Sequence, residues 1–251
     1  MYSVNGKVVI ITGASEGIGA HLAAALRRRG ARLTLAARNE AKLTAMAGPE
    51  ELVVAGDVTS DEVRSAVIGE TVSRRGGIDV LINNAGRGSY YSASATPIED
   101  ARDLFELNFF APLALAQRAT PHLRQSRGTL VNVSSIAGLI SLPWLPVYSA
   151  TKFALAAITS AQRAELRQDG VHVMGVFPGY VDTDFQRHAA GVPPERITGG
   201  DFVSVSAADC AESIVEGIEH RRKIVVTPGS GRLLILASRL FPGLVEARLG
   251  H

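Results

Sequence analysis

Apolar runs and helix-period segments alternate along almost the whole chain. Residues 8–11 (Val-Val-Ile-Ile) form a continuous apolar run that predicts a strand. Ile18, Leu22, Ala25 and Leu26 then place an apolar stripe on one face of a following helix. The alternation continues, with strands expected at 31–36, 52–55, 79–82, 129–133, 171–177 and 224–226. Helices are expected after Asn39, whose side chain suits an N-cap, and at 60–74, 98–123 and 148–167. The strands are runs of β-branched residues without polar alternation, as in a parallel sheet covered on both faces. Right-handed crossovers then predict an α/β fold with a doubly wound, seven-stranded parallel sheet and helices on both faces. No repeat or linker divides the chain, so residues 1–251 are expected to form one domain. The least regular stretch, about 182–205, holds Gly191, Pro193, Pro194, Gly199 and Gly200. A loop of that length in a compact domain is usually functional, often a lid.

Composition narrows the classes. With 46% hydrophobic and 20% charged residues, the chain can bury a large core and does not read as disordered. A net charge of +2 gives no reason to expect a nucleic-acid surface. The single cysteine, Cys210, excludes an internal disulfide and a multi-cysteine metal site, and its helical neighbours suggest an inert thiol. The histidines are scattered without ligand spacing, so no metal is expected. Nothing before the first strand reads as a leader, and the apolar stretch 233–245 is interrupted by Arg239 and Pro242. It falls short of the ~18–20 apolar residues of a membrane span. A cytoplasmic protein without a transmembrane span is therefore expected.

The first strand runs directly into Thr12-Gly13-Ala14-Ser15-Glu16-Gly17-Ile18-Gly19 and a helix. Glycines there let the backbone approach a pyrophosphate, which sits against the free N–H groups of the helix N-terminus. The end of the second strand reads Ala36-Ala37-Arg38-Asn39, with a guanidinium and no carboxylate. A ribose 2′-phosphate favours arginine there and a 2′-hydroxyl favours an acid, so NADP(H) is preferred over NAD(H), with Glu16 as a contrary sign.

Tyr148 and Lys152 are four residues apart at the start of a predicted helix, on one face of it. An ammonium beside a phenol favours the phenolate and brings an acid–base group towards neutral pH. The helix follows the fifth strand, on the side of the sheet where the strands' C-terminal ends would put a dinucleotide. The chain resembles the compact short-chain dehydrogenases/reductases of roughly 250 residues. The matching residues are Thr12-Gly13-x-x-x-Gly17-x-Gly19, Asp57-Val58, Asn83-Asn84-Ala85-Gly86, Asn108, Ser134-Ser135, Tyr148-x-x-x-Lys152 and Pro178-Gly179-x-Val181-x-Thr183.

That resemblance implies a Rossmann fold and a role for each matching position. Tyr148 would exchange a proton with the substrate oxygen, and Ser135 would hold that oxygen, with Ser134 more structural. Lys152 would bind the nicotinamide ribose and depress the tyrosine pKa, and Asn108 would anchor a water extending the relay. Gly13, Ser15, Gly17, Ile18 and Gly19 would cradle the pyrophosphate, and Arg38 the 2′-phosphate. Asp57 and Val58 would lie at the adenine, Asn84, Ala85 and Gly86 along the middle of the cofactor. Pro178, Gly179, Val181 and Thr183 would hold the nicotinamide end. The family also implies a homodimer or homotetramer.

Leu142, Trp144 and Tyr180, together with Ser135 and Tyr148, are the expected substrate contacts, with Tyr90-Tyr91 and Phe185 nearby. They are mostly apolar, which suits a lipophilic carbonyl or alcohol. The apolar tail at about 229–251 has two readings: packing on the body or a second subunit, or contact with a membrane surface. Two rival functions stay open, a non-catalytic dinucleotide sensor and an NAD-dependent alcohol dehydrogenase. A serine hydrolase is disfavoured because no Gly-x-Ser-x-Gly elbow occurs.

Overall fold

A computed structural model describes residues 1–192 and 204–250. Its central strands are β1 (Val8–Thr12), β2 (Arg32–Ala37), β3 (Leu52–Ala55), β4 (Val80–Asn83), β6 (Thr129–Val133), β7 (His172–Pro178) and β11 (Ile224–Thr227). They form one seven-stranded sheet in the order β11-β7-β6-β4-β1-β2-β3, and every pairing is parallel. The order reverses beside β1, between β2 and β4, which is where doubly wound sheets open a crevice at their carboxyl edge. The expected strands are therefore present, with ends shifted by a residue or so.

Each strand feeds both faces because successive side chains alternate. Val9 and Ile11 of β1 join Leu22 and Leu26 of α1 (Gly17–Arg28) and Ile214 and Ile218 of α7 (Ala207–Glu219). Ile10, between them, packs on the opposite face with Val67 of α3 (Asp61–Arg75) and Leu115 and Leu123 of α5 (Ala111–Ser126). Local chemistry sets the helix ends. Asn39 caps α2 (Glu40–Met46) by accepting from the Lys42 N–H at 2.9 Å, and α3 stops at Gly76 in the left-handed conformation.

Two regions differ from the sequence expectation. The stretch read as one helix over 98–123 is α4 (Ile98–Phe105), a π-helical turn (Glu106–Phe110) and α5 in succession. The irregular stretch from 182 carries structure of its own: β8 (Tyr180–Asp182), a 3₁₀ turn (Asp184–His188) and β9 (Ala190–Gly191). β9 pairs with β5 (Ser89–Tyr90), and β8 pairs with β10 (Ser204–Ser206). The remainder of that expected loop, 193–203, lies outside the described residues. The tail forms α8 (Gly231–Leu240) and α9 (Pro242–Gly250), and no described helix is long and apolar enough to cross a membrane.

Candidate active site

Because the central strands are parallel, Gly13, Arg38, Asp57, Asn84, Ser135 and Gly179 all follow strand ends at the same edge of the sheet. The glycine turn closes tightly there. Gly13 has φ +64° and Gly17 +53°, and a Cβ on Gly13 would lie 2.8 Å from the Ala85 Cα. A Cβ on Gly19 would overlap the Gly13 carbonyl oxygen. Glu16 makes no side-chain cap at the start of α1, so the first N–H groups of that helix are left for another acceptor. An oxyanion such as a pyrophosphate fits that donor set.

Thr12 and Asn84 brace the turn. The Thr12 hydroxyl accepts from the Asn84 and Ala85 N–H groups at 3.0 and 3.1 Å. The Asn84 amide donates to the Thr12 and Gly13 carbonyls at 2.9 and 3.1 Å. The amide N–H groups of the Asn84 side chain are thus spent inside the protein, as are the Asn84 and Ala85 backbone N–H groups. Ile18 packs against the core and Ser15 is half-buried. Asp57 accepts from the Thr59 N–H and hydroxyl through one oxygen, and Val58 is buried in the core. Arg38 is exposed, with no ion pair among the described residues. Lys42, one helical turn further on, contacts Glu16 at 3.0 Å. The other Glu16 oxygen meets His188 of the 3₁₀ turn at 2.9 Å.

Tyr148 and Lys152 lie in the first turns of α6 (Pro146–Glu165), which starts with proline at its first position. The two are brought together, with the Lys152 amine 5.7 Å from the Tyr148 ring centroid. Both are buried, and Lys152 donates to the Val133 carbonyl at 3.0 Å. An ammonium has three donors, so that single bond leaves capacity for a further acceptor such as a ribose hydroxyl. Ser134 donates to the Lys152 carbonyl at 2.9 Å, a structural contact, whereas Ser135 accepts from the Ala137 N–H at 3.1 Å and sits beside the phenol.

The electrostatics depart from the expectation for Lys152. Burial pushes the Tyr148 phenol up to about 12, and the neighbouring Ser135 hydroxyl, which favours the phenolate, is outweighed. Burial also pushes the Lys152 amine down to about 8, which leaves it mostly protonated at pH 7, and the burial of the phenol is what keeps Tyr148 from moving towards neutral. Both shifts come from removing ionisable groups from water, which spacing along a helix does not report.

Asn108 is fully buried in the π-helical turn. It accepts from the Arg87 N–H at 3.1 Å and donates to the Arg87 carbonyl and the Thr151 hydroxyl at 3.0 and 3.1 Å. Its side chain ties the strand-β4 loop to α6, and a Cβ on Gly86 would fall 3.0 Å from its oxygen and 3.4 Å from the Lys152 amine.

Pro178 and Gly179 close the same space. Ser135 donates to the Pro178 carbonyl at 3.4 Å and the Gly179 N–H donates to Thr227 at 2.7 Å. Val181 is half-buried in β8, and the Thr183 methyl would contact a Cβ on Gly17 at 3.3 Å, which seats this segment over the glycine turn. Around the phenol, Phe185 packs edge-on at 5.9 Å between ring centroids, and Tyr90, Leu145, Leu142 and Ala137 complete an apolar enclosure. Tyr180 is half-buried close to Tyr90. Trp144 is half-exposed and, with Ser92, Ala93, Pro143 and Pro146, lines a shallow surface cavity of about 290 Å³ in which Tyr148 takes no part. Thr151, Lys42 and His188 were not singled out from sequence, nor were the ion pairs of Lys42 and His188 with Glu16; polar residue types on ordinary helices and loops carry no signal of such pairings.

The comparisons agree with this geometry. A family model described as short chain dehydrogenase matches residues 7–191. An Arabidopsis thaliana protein called 11-beta-hydroxysteroid dehydrogenase-like 4A is 36% identical, covering 98% of this chain and 84% of its own length. Among solved structures, a Burkholderia cenocepacia short chain dehydrogenase in complex with NADP aligns with a TM-score of 0.84 and 29% identity, covering 99% of both chains. A Burkholderia phymatum short chain dehydrogenase/reductase in complex with NAD has a TM-score of 0.87 at 24% identity, covering 97% and 96%, and shows the shared fold.

Proposed function

The chain belongs to the short-chain dehydrogenase family of oxidoreductases, and we propose that it reduces a lipophilic carbonyl compound to its alcohol using NADPH, with Tyr148 as proton donor. The observation that carries this reading is the meeting of buried Tyr148 and Lys152 with half-buried Ser135 at the strand edge that also holds the glycine turn. The bound dinucleotide supplies the hydride.

Ser135 orients the substrate oxygen towards the phenol, and Tyr148 delivers the proton from its hydroxyl. With its pKa pushed up, Tyr148 keeps that proton at neutral pH, the form a reduction needs. Lys152 offers its remaining donors to the ribose. Asn108 sets the position of Lys152 through Thr151 and Arg87, and in this reading it would also hold the relay water. Phe185 and Tyr90 exclude bulk water from the phenol.

Preference for NADP(H) is supported by exposed Arg38, with Lys42 one turn further on as a second cation. Glu16 is an acid in that neighbourhood, but Lys42 and His188 occupy both its oxygens. NADP in the Burkholderia cenocepacia relative points the same way. The apolar enclosure around Tyr148 supports the substrate class. Exposed Phe110 and Phe153 on adjoining helical segments suit contact with a second copy, so we read the enzyme as a homo-oligomer.

A panel of aldehydes, ketones and alcohols, assayed with both cofactors in both directions, tests the reading. It requires higher kcat/KM with NADPH than NADH and turnover of neutral, lipophilic ketones. Preference for NADH, or turnover of small charged keto acids alone, would overturn it.

A further inference from the structure

The two carboxy-terminal helices cover themselves on one side only. The inner side of α8 carries buried Ile235 and half-buried Leu234, which pack with Ile136 and Ile140 beside the Ser135 turn. Leu233, Leu236 and Leu240, at i, i+3 and i+7, share the opposite stripe and are 71%, 53% and 61% exposed. Phe241, between the two helices, and Leu244 of α9 extend it at 62% and 71% exposure. Five large apolar side chains, each more than half exposed within one short segment, form a patch rather than scattered surface residues.

The charges around the patch choose its partner. Arg232 and Arg239, seven residues apart, lie along one flank of the α8 stripe, and Arg248 follows on α9; all three are exposed. From 228 onward the sequence holds these arginines against a single acid, Glu246. A second copy joined by a two-fold axis would set this face against itself and oppose like charges. An anionic lipid surface accepts both components, apolar side chains at the acyl boundary and guanidinium groups at the phosphates.

We propose that α8 and α9 dock the protein on an anionic lipid surface. Leu233, Leu236, Leu240, Phe241 and Leu244 enter the acyl boundary, and Arg232, Arg239 and Arg248 meet the headgroups. The docked face adjoins the Ser135 turn through Ile235 and Leu234, which brings the site close to molecules dissolved in lipid. That consequence rests on the lipophilic-substrate reading; the docking does not.

Cosedimentation of the full chain with vesicles tests it, using phosphatidylcholine alone and equal parts phosphatidylcholine and phosphatidylglycerol. Binding to the anionic vesicles, weakened by salt, is expected. The double variant Leu236→Glu/Leu240→Glu is expected to lose at least about tenfold in partitioning. Arg232→Gln/Arg239→Gln is expected to lose about tenfold or more on anionic vesicles alone. Both variants should keep the wild-type mass in light scattering and wild-type turnover of a water-soluble carbonyl. Absence of vesicle binding, variants that bind like wild type, or a changed mass in the leucine variant, which would mark a subunit interface, overturns the proposal. An enzyme that binds vesicles but turns over no carbonyl would instead overturn the catalytic reading.

Discussion

Asn108 holds Arg87 by both backbone groups, accepting from its N–H at 3.1 Å and donating to its carbonyl at 3.0 Å. The contact fixes the loop after β4 against α6 from inside the protein. Asn108→Ala strands those two groups and removes a donor from the Thr151 hydroxyl, which keeps its bond to the Tyr148 carbonyl, so it should cost about 2–4 kcal/mol of stability. Chemical denaturation would read the loss. Activity should fall even at temperatures where the variant is folded, because Gly86 is no longer held against Lys152.

Lys152 is destabilising at neutral pH. Its folded pKa, about 8, lies below the ordinary 10.5, so the unfolded chain binds more protons between those values. Stability therefore rises with pH across that window. Lys152→Met should be more stable than wild type at pH 7, by up to about 3 kcal/mol, and this advantage should shrink as pH rises from 8 towards 10.5. Urea titrations at two pH values would show it; a constant or growing advantage contradicts the assignment. The variant should also lose its activity.

Tyr148 predicts opposite pH profiles for the two directions. Reduction uses the protonated phenol, which persists up to about 12, so its rate should not fall between about pH 6 and about 9 through this group. Oxidation uses the phenolate and should rise by about tenfold per pH unit over the same range. A reduction rate falling with an apparent pKa near neutral would contradict the buried, proton-holding phenol.

Glu16, Lys42 and Arg38 should together set cofactor choice. Arg38→Leu should lower the NADPH over NADH preference by about 30- to 100-fold through loss of a charged phosphate contact. Lys42→Met should lower it by about 3- to 10-fold, and Glu16→Gln should raise it by a similar factor by removing a like charge. Ratios of kcat/KM, rather than rates with one cofactor, isolate the effect.

The central strands are legible because each is a short β-branched run, as at Val8–Thr12, where local composition and tertiary burial agree. The Asn39 cap is legible for the same reason, since its residue type acts locally. The π-helical turn at Glu106–Phe110 is not, because its apolar spacing continues that of the flanking helices. Nor are β5 and β9, two residues each, whose pairing joins positions about a hundred residues apart. In the site, the Tyr148–Lys152 spacing reveals their proximity but not the direction of their pKa shifts, which depends on how deeply the fold buries them. The tail shows the same division: its periodicity gives helices, while the lack of protein cover over Leu233 and Leu240 emerges only from the packed chain.

Replacing the Tyr148 hydroxyl alone is the most direct test of proton delivery. Tyr148→Phe should bind NADPH within about twofold of wild type, because the dinucleotide cradle is untouched, yet reduce carbonyls at least about a thousandfold more slowly. Carbonyl reduction by Tyr148→Phe at close to the wild-type rate would contradict the account.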